Sequence, residues 1–211
     1  MTDHSDMAFG GYPVLSVDLY PDRHEAVVDC AGKHRITIVA CEQLGITEGM
    51  TLTEDEFERL VHAEQWLACI QKALSHLDYG DCSKRRLSEK LKRFFEPEMV
   101  AEVVDYLAEK GYLNDLGLAE RYAGNYYDVR NYGPMRIRKE LFGKGFDGEV
   151  VSKVTERYFK MDHTEKVVEL IRKKYADADF KDPAAARKAS AWLYSLGYSW
   201  SDISQVLDSF R

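Results

Sequence analysis

Long apolar runs are missing from this sequence of 211 residues. Its apolar segments, such as residues 36–41, fall far short of the roughly 20 apolar residues that a membrane-spanning helix needs. Residues 1–6 are polar and acidic, unlike the basic and apolar start of a secretory signal. The sequence therefore predicts a cytoplasmic protein with no membrane partner.

Cysteine is also scarce. The four residues Cys30, Cys41, Cys69 and Cys82 lie far apart, and no two of them form a Cys-x-x-Cys pair. Disulfide frameworks are typical of short, cysteine-rich secreted chains, and structural zinc sites use closely spaced pairs of ligands. We therefore expect free thiols, as in proteins of a reducing cytoplasm.

Catalytic signatures are absent as well. The sequence contains no Walker loop, no Gly-x-Gly-x-x-Gly after a strand, no His-Glu-x-x-His and no Gly-x-Ser-x-Gly. Asp177, Asp179 and Asp182 resemble the start of a calcium loop, but such a loop needs Gly at position six and Glu at position twelve, where this chain has Asp182 and Lys188. The sequence predicts a protein that is not an enzyme and holds no cofactor or metal.

Charge is distributed unevenly along the chain. The net charge is −7, yet residues 1–64 hold 4 basic and 13 acidic side chains, and residues 65–211 hold 25 basic and 23 acidic ones. The first region therefore carries −9 and the second +2. We call residues 1–64 the acidic head and the remainder the body.

Apolar periodicity changes where the head ends. A period of two predicts three short antiparallel strands at residues 14–20, 25–30 and 34–40. From Thr53 onward the period is helical, and Thr53 with Glu56 three residues later predicts a capping box. Glycine and proline then separate helices of about 12 to 16 residues, one of which Asp115 is expected to cap.

The helical body contains an internal repeat. At an offset of 52 residues, Leu141, Gly145 and Phe146 match Leu193, Gly197 and Tyr198, and a third copy begins near Leu91. Repeats of this length are typical of stacked helical units. The predicted fold is mainly α: an elongated tandem array of three three-helix repeats preceded by a small antiparallel β module. The predicted boundaries are 1–60, 61–112, 113–161 and 162–211.

Basic residues cluster at helix starts in two of the repeats. The clusters contain Lys84, Arg85 and Arg86, and then Arg136, Arg138, Lys139 and Lys144. A single cluster is often no more than a solvated helix face, but recurrence at equivalent helices favours an extended polyanionic partner, either nucleic acid or an acidic protein surface. Arg130 lies among Tyr122, Tyr126, Tyr127 and Tyr132, which could stack on bases or pack in the core.

Motifs of a known family occur in the same region. Residues 132–146 read Tyr-Gly-Pro-Met-Arg-Ile-Arg-Lys-Glu-Leu-Phe-Gly-Lys-Gly-Phe. This segment closely resembles the central repeat of the RecX family, bacterial regulators of the RecA recombinase. The Gly-Tyr-Leu-Asn-Asp run at residues 111–115 and the Asp-Cys-Ser run at residues 81–83 resemble two further motifs of that family. The resemblance covers residues 62–211.

The resemblance implies a non-catalytic monomer that lies in the groove of a RecA–single-stranded DNA filament. There it would inhibit the recombinase, ATPase and coprotease activities of RecA, and so act in DNA repair, recombination and the SOS response. The residues expected to contact the filament or its DNA are Lys84, Arg85, Arg86, Arg130, Arg136, Arg138, Lys139 and Lys144.

Two other functions fit the same sequence. A protein that binds single-stranded or duplex DNA directly would use the basic residues together with the tyrosines. A non-catalytic adaptor would instead dock another protein on its acidic strand module.

Overall fold

The computed structural model describes residues 11–210, so residues 1–10 of the predicted β module and residue 211 of the third repeat lie outside it. Within that range the chain is mainly helical with a small antiparallel sheet near its start, which confirms the predicted fold class. The strands are β1 (Tyr12–Pro13), β2 (Ser16–Tyr20), β3 (Glu25–Asp29), β4 (Lys33–Thr37) and β5 (Thr51–Leu52). The helices are α1 (Ile38–Gln43), α2 (Glu54–Asp78), α3 (Lys84–Leu91), α4 (Pro97–Glu109), α5 (Asp115–Asp128), α6 (Pro134–Gly143), α7 (Gly148–Lys160), α8 (Thr164–Lys174), α9 (Pro183–Leu196) and α10 (Trp200–Ser209).

Two properties of these elements bear on the predictions from sequence. Between residues 11 and 210 no helix is both long enough and apolar enough to cross a membrane. The four cysteines are free thiols, three of them buried and Cys82 half-buried, and burial raises the pKa of Cys69 to about 11.

Strands β2, β3 and β4 form the predicted antiparallel meander, and β1 pairs separately with β5. In the meander Ala26 lies opposite Leu19 on one side and Ile36 on the other. The face that carries Ala26, Val28 and Ile36 is fully buried in a core that also contains Leu60 of α2. Alternation of apolar and polar residues therefore gives the sheet one buried face, as a period of two requires.

The predicted third strand, residues 34–40, is wrong at its end. Strand β4 stops at Thr37, and α1 begins at Ile38. Thr37 is the N-cap of that helix, because its hydroxyl accepts a hydrogen bond of 3.0 Å from the amide of Ala40. A short run of β-branched residues does not distinguish a strand from a helix. Here the hydrogen bond to the Thr37 side chain starts a helix where the apolar pattern alone predicted a continued strand.

Helix α2 begins with the predicted capping box. The side chain of Thr53 accepts from the amide of Glu56, and the carboxylate of Glu56 accepts from the amide of Thr53 at 2.8 Å. The helix then continues for 25 residues, longer than expected, because no glycine or proline interrupts it before Gly80. The predicted boundary between residues 60 and 61 falls inside this helix.

Replacing Thr53 with alanine is expected to lower the free energy of unfolding by about 1 kcal/mol, because the first helical turn loses its acceptor. Thr53→Ser retains the hydroxyl and should retain most of the stability. Urea denaturation followed by circular dichroism measures both variants. A loss in the serine variant equal to that in the alanine variant would exclude the capping role.

The same capping box gives a pH prediction. Hydrogen bonds from Thr53 lower the pKa of Glu56 below its usual value of 4.5. A carboxyl group with a lowered pKa stabilises the folded state above its unfolded pKa, and this contribution is lost as the pH falls through the folded value. Glu56→Gln should therefore lose less stability than the natural chain between pH 7 and pH 3, measured by urea denaturation at each pH. An equal loss in both proteins would contradict the prediction.

The chain divides into two compact units. The first contains the described part of Met1–Gly80 together with Ser88–Leu107, and the second contains Asp81–Leu87 together with the described part of Ala108–Arg211. In the second unit α5, α6 and α7 enclose one apolar core, and α8, α9 and α10 enclose another. The predicted contact residues that follow Leu107 all lie in the first of these triplets, α5 to α7.

Candidate partner-binding surface

The start of α6 is packed against the joint between α9 and α10. The amide of Gly133 donates to the carbonyl of Leu196 at 2.7 Å, and the amide of Met135 donates to the carbonyl of Gly197 at 3.1 Å. The first amides of a helix have no partner within the helix. In this protein the next helix triplet supplies acceptors for two of them.

This contact requires two glycines. A Cβ atom on Gly133 would lie 2.5 Å from the carbonyl carbon and oxygen of Gly197, which is closer than real Cβ contacts allow. Gly197 itself has φ +94°, and a Cβ there would lie 2.4 Å from the amide nitrogen of Arg136. The two backbones therefore approach each other more closely than any side chain permits.

An equivalent contact occurs one repeat earlier in the same unit. The hydroxyl of Ser83, just before α3, donates to the carbonyl of Lys144 at 2.9 Å, at the joint between α6 and α7. The repeat offset of 52 residues relates Lys144 to Leu196. The equivalent carbonyl groups of Lys144 and Leu196 thus each accept a hydrogen bond from a residue just before an earlier helix. The donor is Ser83 before α3 in one case and Gly133 before α6 in the other.

Two of the predicted contact residues donate side-chain hydrogen bonds at these joints. Arg86 donates to the carbonyl of Gly143 at 3.3 Å, and Arg136 donates to the carbonyl of Ser195 at 3.0 Å. Gly143 and Ser195 are again 52 residues apart. The recurrence of arginine at the start of α3 and α6 therefore has a packing cause, and a part for these two arginines in partner binding stays a prediction.

Arg136 makes further contacts within its unit. Its guanidinium carbon lies 4.0 Å from the centre of the Tyr132 ring, and its Nε atom lies 3.5 Å from the carboxylate of Glu140. About one third of the side chain is exposed. A planar guanidinium can stack on a ring and donate at its edge at the same time.

Arg136→Ala is therefore expected to lower the free energy of unfolding by about 1–2 kcal/mol, through loss of a charged hydrogen bond and a ring contact. Arg136→Lys should recover only part of it, because lysine lacks the planar fork. Arg138→Ala is the matched control and should change stability by less than about 0.5 kcal/mol. Urea denaturation compares the three, and equal losses at positions 136 and 138 would contradict the packing role.

The other residues of the first basic cluster lie around the start of α3. The amide of Lys84 donates to the carboxylate of Asp115 at 3.0 Å, and Arg85 is exposed. Burial raises the pKa of Asp115, and the bond from Lys84 partly offsets that effect. The prediction that Asp115 caps α5 is wrong, because Asn114 is the N-cap and accepts from the amide of Gly117 at 2.9 Å.

Arg138 and Lys139 of α6 are exposed, as is Arg130 after α5. The guanidinium of Arg130 lies 5.5 Å from the ring of Tyr126, and the ammonium of Lys144 lies 4.7 Å from the ring of Tyr122. Arg130, Arg138 and Lys139 therefore place three positive charges at the surface of this helix triplet.

The tyrosines near Arg130 are used in packing. Tyr126 is only 4% exposed, and its ring lies 6.0 Å from that of Tyr122 and 5.7 Å from that of Tyr132. Tyr127 contacts His163 at the start of α8, where the hydroxyl of Tyr127 lies 3.3 Å from the Nδ1 atom. Because Nε2 of His163 lies 2.7 Å from the carbonyl of Tyr158, it must donate, which leaves Nδ1 as an acceptor in the neutral ring.

A groove between α6 and α7 adds cations that the sequence analysis did not select. It has a volume of about 370 Å³, and Arg138, Lys153 and Lys160 line it together with Phe159. Lys153 and Lys160 are seven residues apart and so lie on one face of α7. That spacing could have revealed Lys153 and Lys160 from the sequence. They lie in the middle and at the end of α7, however, whereas the predicted basic clusters lie at the starts of helices.

Comparison with known proteins identifies the family. No protein-family model matches the chain. The regulatory protein RecX of Xanthomonas campestris pv. campestris (strain B100) is 34% identical over 135 residues, which cover 64% of this chain and 82% of that protein. The chain belongs to the RecX family.

Other RecX proteins match different shares of the chain. The regulatory protein RecX of Clostridioides difficile (strain 630) is 25% identical over 164 residues, or 77% of each chain. That of Listeria innocua serovar 6a is 32% identical over 114 residues, or 54% of this chain and 42% of that protein. The match therefore spans less than half of the Listeria RecX protein.

Two solved RecX structures share the fold. One, a regulatory protein RecX, superposes with a TM-score of 0.75 at 17% identity and covers 93% of this chain and 99% of its own. RecX from Lactobacillus salivarius superposes with a TM-score of 0.62 at 21% identity over 70% of this chain and 97% of its own. These likenesses establish a RecX fold for the chain.

Proposed function

We propose that this protein binds the RecA–single-stranded DNA filament and inhibits the recombinase, ATPase and coprotease activities of RecA. The observation that carries the proposal is membership of a family whose relatives are named as regulatory proteins. In this role it would act in the cytoplasm, as a monomer, in DNA repair, recombination and the SOS response. It would act by occupying the filament groove, without catalysis and without a cofactor.

The cationic surface of the triplet formed by α5, α6 and α7 supports a polyanionic partner. Arg130, Arg138 and Lys139 are exposed, and Lys84, Arg85 and Lys144 belong to the same proposed contact. Exposed cations attract an anionic partner over about 10 Å at moderate salt and speed its encounter with the protein. Arg86 and Arg136 would contribute by holding the joints between helix triplets, which fixes the spacing of the exposed cations.

Titrating the purified protein into a RecA ATPase assay on single-stranded DNA tests the proposal. The rate of ATP hydrolysis should fall as the protein is added and should level off once the filament sites are occupied. A RecA ATPase rate that stays unchanged at a molar excess of the protein would contradict the proposal.

Direct DNA binding is a second candidate, favoured by the groove between α6 and α7. Three cations line this groove beside Phe159, whose ring is about half exposed, although the Lys160 ammonium lies 2.5 Å from the carboxylate of Glu156. Phosphates would meet the cations, and a base could stack on the ring. In that case affinity for DNA without RecA should fall steeply between 50 and 200 mM salt, because phosphate contacts release counterions.

A further inference from the structure

The two outer edges of the meander differ in how they are protected against pairing with another chain. On one edge β4 carries Lys33 and Arg35, and α2 packs beside it. On the other edge β2 reads Ser-Val-Asp-Leu-Tyr, with no lysine, arginine or proline inside it. Within residues 11–210 no strand pairs with the outer side of β2.

Natural proteins protect an edge strand with lysine, proline, a bulge or a covering element, because its unpaired amides and carbonyls can pair with another chain. Apolar side chains also remain exposed along this edge. Leu15 is 65% exposed and Leu19 is 56% exposed. Leu19 lies opposite the buried Ala26, so it continues the apolar face of the sheet onto the edge strand, where it stays exposed.

The opposite face of β2 carries one carboxylate, that of Asp18. Asp18 points away from the apolar face, since it alternates with Val17 and Leu19. The carboxylates of β3 on this face already have basic neighbours in β4, because Glu25 lies 3.6 Å from Arg35 and Asp29 lies opposite Lys33. A strand added beside β2 would therefore have one face toward Leu19 and the other toward the carboxylate of Asp18.

We propose that β2 is a docking edge for an extended segment of a partner protein in which apolar residues alternate with lysine or arginine. The segment would add a fourth strand to the meander, with main-chain hydrogen bonds to β2. Its apolar residues would cover Leu19, and its basic residues would lie near Asp18. A second copy of β2 fits less well, because two Asp18 side chains would then approach each other.

The probe is a synthetic peptide of seven residues, Lys-Val-Lys-Val-Lys-Val-Lys, added to the full chain. We expect saturable binding and slower hydrogen exchange at the amides of residues 16–20. The peptide Glu-Val-Glu-Val-Glu-Val-Glu should bind at least tenfold more weakly. The lysine peptide methylated on its backbone nitrogens should not bind, because it cannot donate to the edge.

Two variants locate the site. Leu19→Lys should weaken binding of the lysine peptide at least tenfold, and Asp18→Lys should shift the preference toward the glutamate peptide. Val39→Lys is the matched control, because Val39 of α1 is 60% exposed and lies away from the edge strand in sequence. Circular dichroism establishes that each variant is folded.

Several results would overturn the proposal. These are unchanged exchange at residues 16–20, equal binding of the two peptides, binding of the methylated peptide, or equal weakening by Val39→Lys and Leu19→Lys. Protection of residues 16–20 that rises with protein concentration in the absence of peptide would assign the edge to a second copy instead.

Discussion

Replacing Gly133 with alanine is expected to lower the free energy of unfolding by about 2–3 kcal/mol, the upper part of the usual cost of inserting a methyl group into a packed site, because the neighbouring atoms are backbone. The backbone of Gly133 has ordinary dihedral angles, φ −76° and ψ 169°, so alanine fits it locally. The added methyl group would instead meet the backbone of Gly197 and Tyr198 at 2.5 Å. The decrease in the free energy of unfolding would therefore report on the close contact between the α5–α7 triplet and the α8–α10 triplet.

Thermal unfolding followed by circular dichroism measures this effect as a drop in midpoint of roughly 5–10 °C for the unit that contains α6. Gly143→Ala is the matched control, because a Cβ atom there would have no neighbour within 4 Å. Alanine is favoured over glycine within a helix, so this control should be neutral or slightly stabilising. Equal stability of the variants at positions 133 and 143 would contradict the close contact.

Alanine variants at Gly111 and Gly197 distinguish the cost of backbone strain from the cost of steric crowding. Both glycines have positive φ, +81° and +94°, but only at Gly197 would a Cβ atom meet the neighbouring backbone. Gly111→Ala should therefore cost about 1–2 kcal/mol from strain alone. Gly197→Ala should cost more than either Gly111→Ala or Gly133→Ala, because it combines strain with the close contact.

Reversing three exposed charges on the triplet formed by α5, α6 and α7 is expected to abolish most of the inhibition of RecA. The variant is Arg130→Glu, Arg138→Glu and Lys139→Glu. Each reversal replaces attraction by repulsion and costs about 1 kcal/mol at an exposed site. Three of them should weaken binding to the filament roughly 100-fold.

The measurement is the protein concentration that halves RecA-dependent ATP hydrolysis on single-stranded DNA. A control with the same change in net charge reverses three exposed head residues, as Arg23→Glu, Lys33→Glu and Arg59→Glu. It should inhibit nearly as well as the natural chain. If the variant with Arg130, Arg138 and Lys139 reversed also inhibited as well as the natural chain, the assignment of these residues to the contact would be wrong.

The sequence predicted the parts of the fold that depend on local pattern. Thr53 and Glu56 marked the start of α2, and alternation of apolar residues marked β2 and β3. The offset of 52 residues related Gly145 to Gly197, and both have positive φ at equivalent joints. These features were accessible because each rests on a few residues close together in the chain.

The partners of the basic residues depend on contacts between distant parts of the chain. Helical spacing put Arg136 on the face away from Ile137, but it could not show that Ser195 would approach that face. The recurrence of arginine therefore has a packing cause that helical spacing could not reveal, while its part in partner binding stays a prediction. Lys153 and Lys160 were missed for the related reason that their groove is formed only when α6 and α7 pack together.

The most direct test of the proposed filament binding is to compare the affinity of the protein for three ligands at one salt concentration. These are RecA filaments assembled on single-stranded DNA with a non-hydrolysable ATP analogue, RecA without DNA, and the same DNA without RecA. Sedimentation of the filament or fluorescence anisotropy gives each dissociation constant. We predict that the filament binds the protein at least tenfold more tightly than either component does. Equal affinity for the filament and for naked DNA, or no binding to the filament, would contradict it.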